Sequence, residues 1–79
     1  MNRDEIVTEL FRMRDADYAL LQAKIIPTVA ADRIIGVRTP ALRAFAKVLY
    51  KDRDKEDFLS CQPHQYFDET QLHAFVISL

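Results

Sequence analysis

The sequence is poor in the residues that build turns and cross-links. It has one glycine, three prolines, one cysteine and no tryptophan among 79 residues. Domains rich in strands need many turns, so the scarcity of glycine and proline favours an all-α protein. The lone Cys61 has no second cysteine with which to form an internal disulfide, and this is typical of a reducing compartment.

Long apolar runs are also missing. The first residues, MNRDEIVTEL, carry charges where a secretory signal has an apolar core of about 7–15 residues. No run approaches the roughly 18–20 apolar residues of a membrane span. We therefore expect a cytoplasmic protein with no membrane partner. A hydrophobic content of 49% without low-complexity runs predicts a single folded domain over residues 1–79.

Capping patterns predict the first two helices. The first is expected from Arg3 to about Arg14, with Asn2 as its cap and Glu5 completing a capping box. The second is expected to follow directly after a capping Asp15. It should end before Pro27, because the residue before a proline is pushed out of the helical region.

Three more helices are predicted in the rest of the chain. Thr39 and Pro40 predict the third helix, as an N-cap followed by proline at the first helical position. The fourth is expected from Lys55 to Ser60 with Asp54 as its cap, and the fifth is expected to begin after a capping Asp68. Apolar stripes are predicted on four of the helices. They are Ile6/Leu10/Met13 on the first helix, Tyr18/Leu21/Ile25 on the second, Leu42/Phe45/Ala46/Leu49 on the third and Leu72/Phe75/Val76/Leu79 on the fifth.

The connector between the second and third helices, residues 27–39, contains the only glycine. Ile34, Ile35 and Val37 are too apolar for a freely solvated loop, so we expect the connector to pack against the helices. Five helices joined in this way are compatible with stacked helical hairpins. No internal repeat of fixed period supports or excludes a solenoid.

Charge is distributed unevenly along the chain. The net charge is −1, but residues 24–51 hold six basic side chains against one acidic residue, Asp32. Two interpretations remain open: a surface that binds an anionic partner, and an ordinary solvated helix face. The six are Lys24, Arg33, Arg38, Arg43, Lys47 and Lys51.

No catalytic or metal-binding constellation is predicted. His64 and His73 are nine residues apart, which puts them on different sides if both are helical, and neither has a further ligand at zinc spacing. Cys61 is interpreted as a small buried thiol. The acidic run 52–57 fails the calcium-loop pattern, because Asp57 stands at the required glycine position. We predict no cofactor, no metal and no catalytic residue in these 79 residues.

Two segments carry a family resemblance. KIIPTVAADRIIGVRTPALRAFAK, residues 24–47, and FLSCQPHQYFDETQLHAFVI, residues 58–77, resemble segments of the DNA alkylation repair enzyme family in the same order and spacing. The resemblance implies a HEAT-like fold, an α-α superhelix of antiparallel helical hairpins. It also implies a DNA glycosylase that excises N3- and N7-alkylated purines in base excision repair, with DNA on a positively charged concave surface.

The resemblance stops short of the catalytic helices. The family's catalytic aspartate, tryptophans and arginine lie beyond the matching region, so we expect an N-terminal fragment that is inactive alone. Arg38, Arg43 and Lys47 are the candidate DNA-backbone contacts, and Gly36, Thr39 and Pro40 form a matching structural motif. For Arg38, a structural role and a phosphate contact both stay open. A helix-turn-helix is not expected, because thirteen residues separate the second and third helices.

A second hypothesis is a non-catalytic helical-repeat module that binds a protein or nucleic-acid partner. Its basis is the basic segment without a catalytic set. A third expectation concerns self-association. The fifth helix ends with the chain, and its Phe75/Val76 face is expected to be exposed and to associate with another copy.

Overall fold

The computed structural model describes residues 1–79 and contains helices and no strands, which confirms the all-α prediction. A single 3₁₀ turn spans Ala31–Arg33 within the connector. None of the helices has both the length and the apolar character needed to cross a bilayer. The helices are α1 Arg3–Arg12, α2 Ala16–Ile25, α3 Thr39–Tyr50, α4 Lys55–Leu59 and α5 Phe67–Ile77.

The start of α1 follows the predicted capping box. The Glu5 amide donates to the Asn2 side chain at 2.8 Å, and the Asn2 amide donates to the Glu5 carboxylate at 3.0 Å. Two amides that no helical carbonyl can reach are thereby satisfied. Ile6 and Leu10 are fully buried and Met13 packs against the core, so the predicted stripe of α1 is confirmed.

The core lies mainly between α3 and α5. The predicted stripe of α3, Leu42, Phe45, Ala46 and Leu49, is buried throughout. Helices α1 and α4 and the connector complete the core around this pair. The remaining members of the cluster are Ile6, Leu10, Ile35, Val37, Phe58, Leu72 and Val76.

The predicted stripe of α2 is wrong. This helix buries Ala19 and Gln22, whereas Leu21 and Ile25 of the predicted stripe are exposed to solvent. The reason is the connector, whose backbone passes against α2 at Ala19 and leaves no room for a large side chain there. The expectation that the connector packs against the helices is confirmed, because Ile34, Ile35 and Val37 are buried.

The predicted start of α3 is shifted by one residue, whereas α4 begins at Lys55 as predicted but lacks the predicted capping bond. Helix α3 begins at Thr39 itself, with Arg38 in the N-cap position and Pro40 at the second helical residue. The reason is that the Arg38 carbonyl already accepts the first helical hydrogen bond, from the Leu42 amide at 3.0 Å. Asp54 precedes α4 without a side-chain capping bond, and instead its amide donates to the Asp52 carboxylate at 2.8 Å.

Helix α5 starts at Phe67, so the prediction of a capping Asp68 is wrong. Tyr66 occupies the N-cap position, and its amide donates to the Glu69 carboxylate at 3.1 Å. Asp68 lies inside the first turn and points into the protein, where it is fully buried. The expected exposed face of α5 is also wrong in part. Val76 is buried and Phe75 is half-buried, while Ile77 and Leu79 are exposed.

Candidate functional site

Asp68 holds the glycine-containing bend of the connector. Its carboxylate accepts hydrogen bonds from the amides of Ile35 at 2.7 Å, Gly36 at 3.2 Å and Val37 at 2.9 Å. All four residues are buried, and no cation forms an ion pair with Asp68. A buried carboxylate is costly unless donors surround it, and three converging amides supply that compensation.

Gly36 is required at this bend for two reasons. Its φ of +92° lies in the region that side chains disfavour. A Cβ at this position would also lie 2.6 Å from the Cβ of Ala19 and 2.8 Å from the carbonyl oxygen of Asp15. The Gly36 carbonyl accepts from the Asp15 amide at 2.9 Å. Gly36 thus permits the tight bend, and the bend fastens the connector to the start of α2.

Arg38 lies against the same end of α2. Its Nε donates to the Asp15 carboxylate at 2.8 Å, and its guanidinium stands 4.9 Å from the centre of the Tyr18 ring. The hydrogen bond from Arg38 is the largest cause that lowers the pKa of Asp15, and the same bond raises the pKa of Arg38. The structural interpretation of Arg38 as a bridge between elements fits this geometry. No hydrogen bond occupies its terminal amino groups, which remain on the surface.

Arg33 joins the connector to the segment before α5. Its Nε donates to the carbonyl of Gln65 at 2.8 Å, and a terminal amino group donates to the carbonyl of His64 at 3.3 Å. The basic segment is therefore not one uniform surface. Arg33 and Arg38 are engaged within the protein, by carbonyls in one case and by a carboxylate in the other.

Arg43 and Lys47 form a different environment on α3. Both are exposed, neither has an ion-pair partner, and they lie one helical turn apart. Arg43 stands 5.4 Å from the centre of the Phe75 ring of α5. The two cations border a groove of about 380 Å³ whose other lining residues are Ala46, Phe75, Ser78 and Leu79.

The groove between α3 and α5, defined by these six residues, combines positive charge with an apolar floor. Lys51, the C-cap residue directly after α3, is also exposed and unpaired, so three cations follow one row along the helix and its end. Such a row suits an extended anion such as a phosphate backbone, because unpaired cations pay no cost in breaking internal ion pairs. We refer to Arg43, Lys47 and Lys51 as the α3 basic row.

His64 and His73 are neighbours, because His64 is not helical and the condition that would separate them is not met. The Nε2 of His64 lies 3.0 Å from the Nδ1 of His73, because residues 60–66 turn back over the face of α5 instead of forming a helix. His64 is buried and stacks on Phe58. Its Nδ1 and the Oε2 of Glu69 are 3.9 Å apart, and neither has a hydrogen-bond partner.

Desolvation lowers the pKa of His64, and it outweighs the opposing attraction of Glu69. The imidazole is therefore neutral near pH 7, and its contact with Glu69 is not an ion pair. The contact between the Nε2 of His64 and the Nδ1 of His73 needs one protonated and one bare nitrogen, so the tautomers of the two rings are coupled. The protein holds no group of three or more histidine, cysteine or acidic residues placed to share a metal ion.

Cys61 was expected to be buried and is exposed. It follows the end of α4, where its thiol donates to the Asp57 carbonyl at 2.9 Å. The short helix α4 buries Phe58, and residues 60–63, which follow the helix, are exposed.

Sequence reasoning missed the Asp68 contact, which is the best-connected polar feature of the protein. A buried connector has backbone amides that need hydrogen-bond acceptors, so the apolar residues around Gly36 indicate that some acceptor must lie nearby. This pattern did not identify the acceptor, because Asp68 is about 32 residues away. An acid in front of an apolar stripe also fits a helix cap equally well.

Comparison with known proteins adds no assignment. The sequence matches no protein-family model, and neither the curated proteins nor the solved structures include a significant match.

Proposed function

We propose that the chain is the N-terminal, DNA-holding part of a DNA alkylation repair protein with HEAT-like helical hairpins. In this proposal the intact protein excises N3- and N7-alkylated purines, and the excision chemistry belongs to helices outside residues 1–79. The observation that carries the proposal is the resemblance of residues 24–47 and 58–77 to the family's segments, in the same order and spacing.

Contacts between the two resembling segments support this proposal. Asp68 of the second segment binds the amides of residues 35–37 in the first. Arg33 of the first binds two carbonyls of the second. Residues that depend on each other in this way are expected to occur together in related sequences, since losing one partner leaves the other buried and unsatisfied.

The charge distribution supports DNA as the partner. Arg43 and Lys47 are the proposed principal phosphate contacts, because they are exposed, unpaired and adjacent. Arg38 is a secondary contact. Its Nε is committed to Asp15, but its terminal amino groups remain available to a phosphate. A guanidinium has five N–H donors, so one group can serve both partners.

The proposal is tested by DNA binding as a function of salt. Fluorescence anisotropy with a short duplex should give an affinity that falls steeply as NaCl rises, because each neutralised phosphate contributes a log–log slope of about 0.9. The R43A/K47A variant should lose about 1.8 from that slope. If Arg38 also contacts a phosphate, R38A should lose about 0.9.

The R14A/R53A variant is the matched control, because Arg14 and Arg53 are also exposed and unpaired. It removes the same total charge from other places on the surface and should leave the slope unchanged. Equal slopes for R43A/K47A and wild type would contradict the proposed surface. No salt-dependent binding at all would leave the scaffold hypothesis, a module that holds a protein partner.

A further inference from the structure

The outer face of α2 carries three large apolar side chains that are exposed to solvent. Leu20, Leu21 and Ile25 are 65%, 51% and 66% exposed, although they lie on one ordered helix. Nothing else in the chain covers them. Contiguous apolar residues on an ordered element mark an interaction surface more often than chance exposure does.

Two charges frame this cluster in a specific way. Asp17 and Lys24 are seven residues apart on α2, so they differ by about 20° around the helix and about 10 Å along it. Leu20 and Leu21 lie midway between them. Both charged residues are exposed, and neither forms an ion pair within the chain. We call Asp17, Leu20, Leu21 and Lys24 the α2 outer face.

We propose that the α2 outer face binds a second copy of this chain, with the two α2 helices antiparallel about a two-fold axis. The pattern is self-complementary. When the axis passes between Leu20 and Leu21, Asp17 of each copy stands opposite Lys24 of the other, and the leucines meet in the middle. A two-fold interface requires each patch to complement itself in this way.

The electrostatics favour this occupant over others. One acid and one base make the face neutral, so it offers nothing specific to DNA, unlike the α3 basic row. A foreign helix with leucines would match the apolar part but has no reason to match both charges. The same two residues match each other when the helix meets its own copy reversed, and they clash when it meets a parallel copy.

The shape of the neighbouring surface is also favourable. Beside Leu20, an apolar groove of about 450 Å³ runs between α2 and the 3₁₀ turn. Ala16, Ala23 and Ala31 line it, with the oppositely charged Arg14 and Asp32 also present, and the small alanine side chains allow another helix to approach closely. A ten-residue helix offers less than the roughly 800 Å² per partner of a standard interface, so the dimer is weak and in rapid exchange.

Equilibrium sedimentation of the full chain tests this directly. The wild type should pass from monomer to dimer as its concentration rises into the high micromolar range. D17K places two lysines on the face, and K24D places two aspartates there. Each variant turns both reciprocal pairs repulsive, so its dissociation constant should rise at least about tenfold.

Mixing supplies the decisive result. D17K and K24D should each associate poorly alone. An equimolar mixture should associate at least as well as the wild type, because the two lysines of the D17K copy then face the two aspartates of the K24D copy. The double variant D17K/K24D should recover self-association. A mixture that associates no better than its components overturns the proposal, as does a wild type that stays monomeric up to about 1 mM.

Two further variants separate this surface from folding effects. D4K is the matched control, because Asp4 occupies the second residue of α1 as Asp17 does of α2, and is exposed. It should leave association unchanged. If D17K loses its helical circular dichroism signal, L21E serves instead and should abolish the dimer. Association that is lost in I77D and retained in L21E would assign the contact to α5 and overturn the proposal.

Discussion

Helices α3 and α2 are of similar length and carry similar numbers of apolar residues, but they use them in opposite ways. Helix α3 buries its large apolar stripe against α5. Helix α2 turns Ala19 and Gln22 inward and leaves Leu20, Leu21 and Ile25 at the surface. An apolar stripe therefore identifies what a helix can bury, while its neighbours decide whether the helix buries it within the same chain.

The neighbour that decides for α2 is backbone rather than side chain. The bend at Gly36 approaches Ala19 so closely that a Cβ on Gly36 would meet the Cβ of Ala19 at 2.6 Å. A leucine at the inward position would overfill this contact. Helix α2 is thus held by a close backbone approach, by Arg38 on Asp15 and by few large side chains.

The largest expected effect is at Asp68, on which the packing of the connector depends. D68N keeps the shape of the side chain but replaces one acceptor oxygen with an NH₂ group, which cannot accept hydrogen bonds from the amides of the connector. With hydrogen bonds to a charged group worth about 1.5–3 kcal/mol each, we expect a loss of at least about 3 kcal/mol. Urea denaturation followed by circular dichroism measures it, with E56Q on the surface as control. A loss below about 1 kcal/mol would contradict the assigned role.

A matched pair of leucines tests the comparison itself. L42A removes a residue that is 1% exposed in α3 and should cost about 2–5 kcal/mol of unfolding free energy. L21A makes the same chemical change on the outer side of α2 and should stay within about 0.5 kcal/mol. Both are measured on dilute, monomeric protein. Equal losses would show that α2 buries its leucines after all.

A smaller effect concerns the pH dependence of the unfolding free energy, to which the buried His64 contributes. Burial lowers the pKa of His64, so the unfolded chain takes up a proton at a higher pH than the folded protein. Stability should therefore fall as the pH drops through the ordinary histidine range near 6.5, and this contribution is absent above it. In H64Q, the unfolding free energy should depend less steeply on pH between 7 and 5.

Carboxylates also titrate toward the lower end of that range, so the comparison is between slopes of the two proteins at each pH. Parallel curves for wild type and H64Q would mean that His64 does not carry the effect. The missing partners of its Nδ1 and of the Glu69 Oε2 explain why this spot is less well compensated than Asp68.

Local patterns predicted what local chemistry determines. The capping box of Asn2 and Glu5 and the apolar stripe of α3 each depend on residues within a few positions of one another along the chain. The motif that contains Gly36 also drew attention to Arg38. Its partner Asp15 is 23 residues earlier and was interpreted only as a helix cap, a role it also has through the Tyr18 amide.

Long-range contacts were beyond the sequence patterns. The sequence around Asp68 is compatible with a helix cap and equally with an acidic side chain that points into the protein. Only the position of the connector, whose amides Asp68 binds, distinguishes these two roles. The leucines of α2 follow a helical stripe, but periodicity does not reveal that a glycine bend already occupies the inner side. For the groove between α3 and α5, the cations were predicted, and the aromatic floor supplied by Phe75 was not.

The Asp68 contact has a consequence for exchange of amide protons with solvent. Residues 35–37 belong to no helix, and irregular segments ordinarily open by small local fluctuations. Here the amides end on a buried carboxylate of α5, so releasing them requires undocking of that helix from the connector. In deuterated water, these three amides should therefore exchange as slowly as the central amides of α3, making a non-helical stretch part of the most slowly opening unit of the protein.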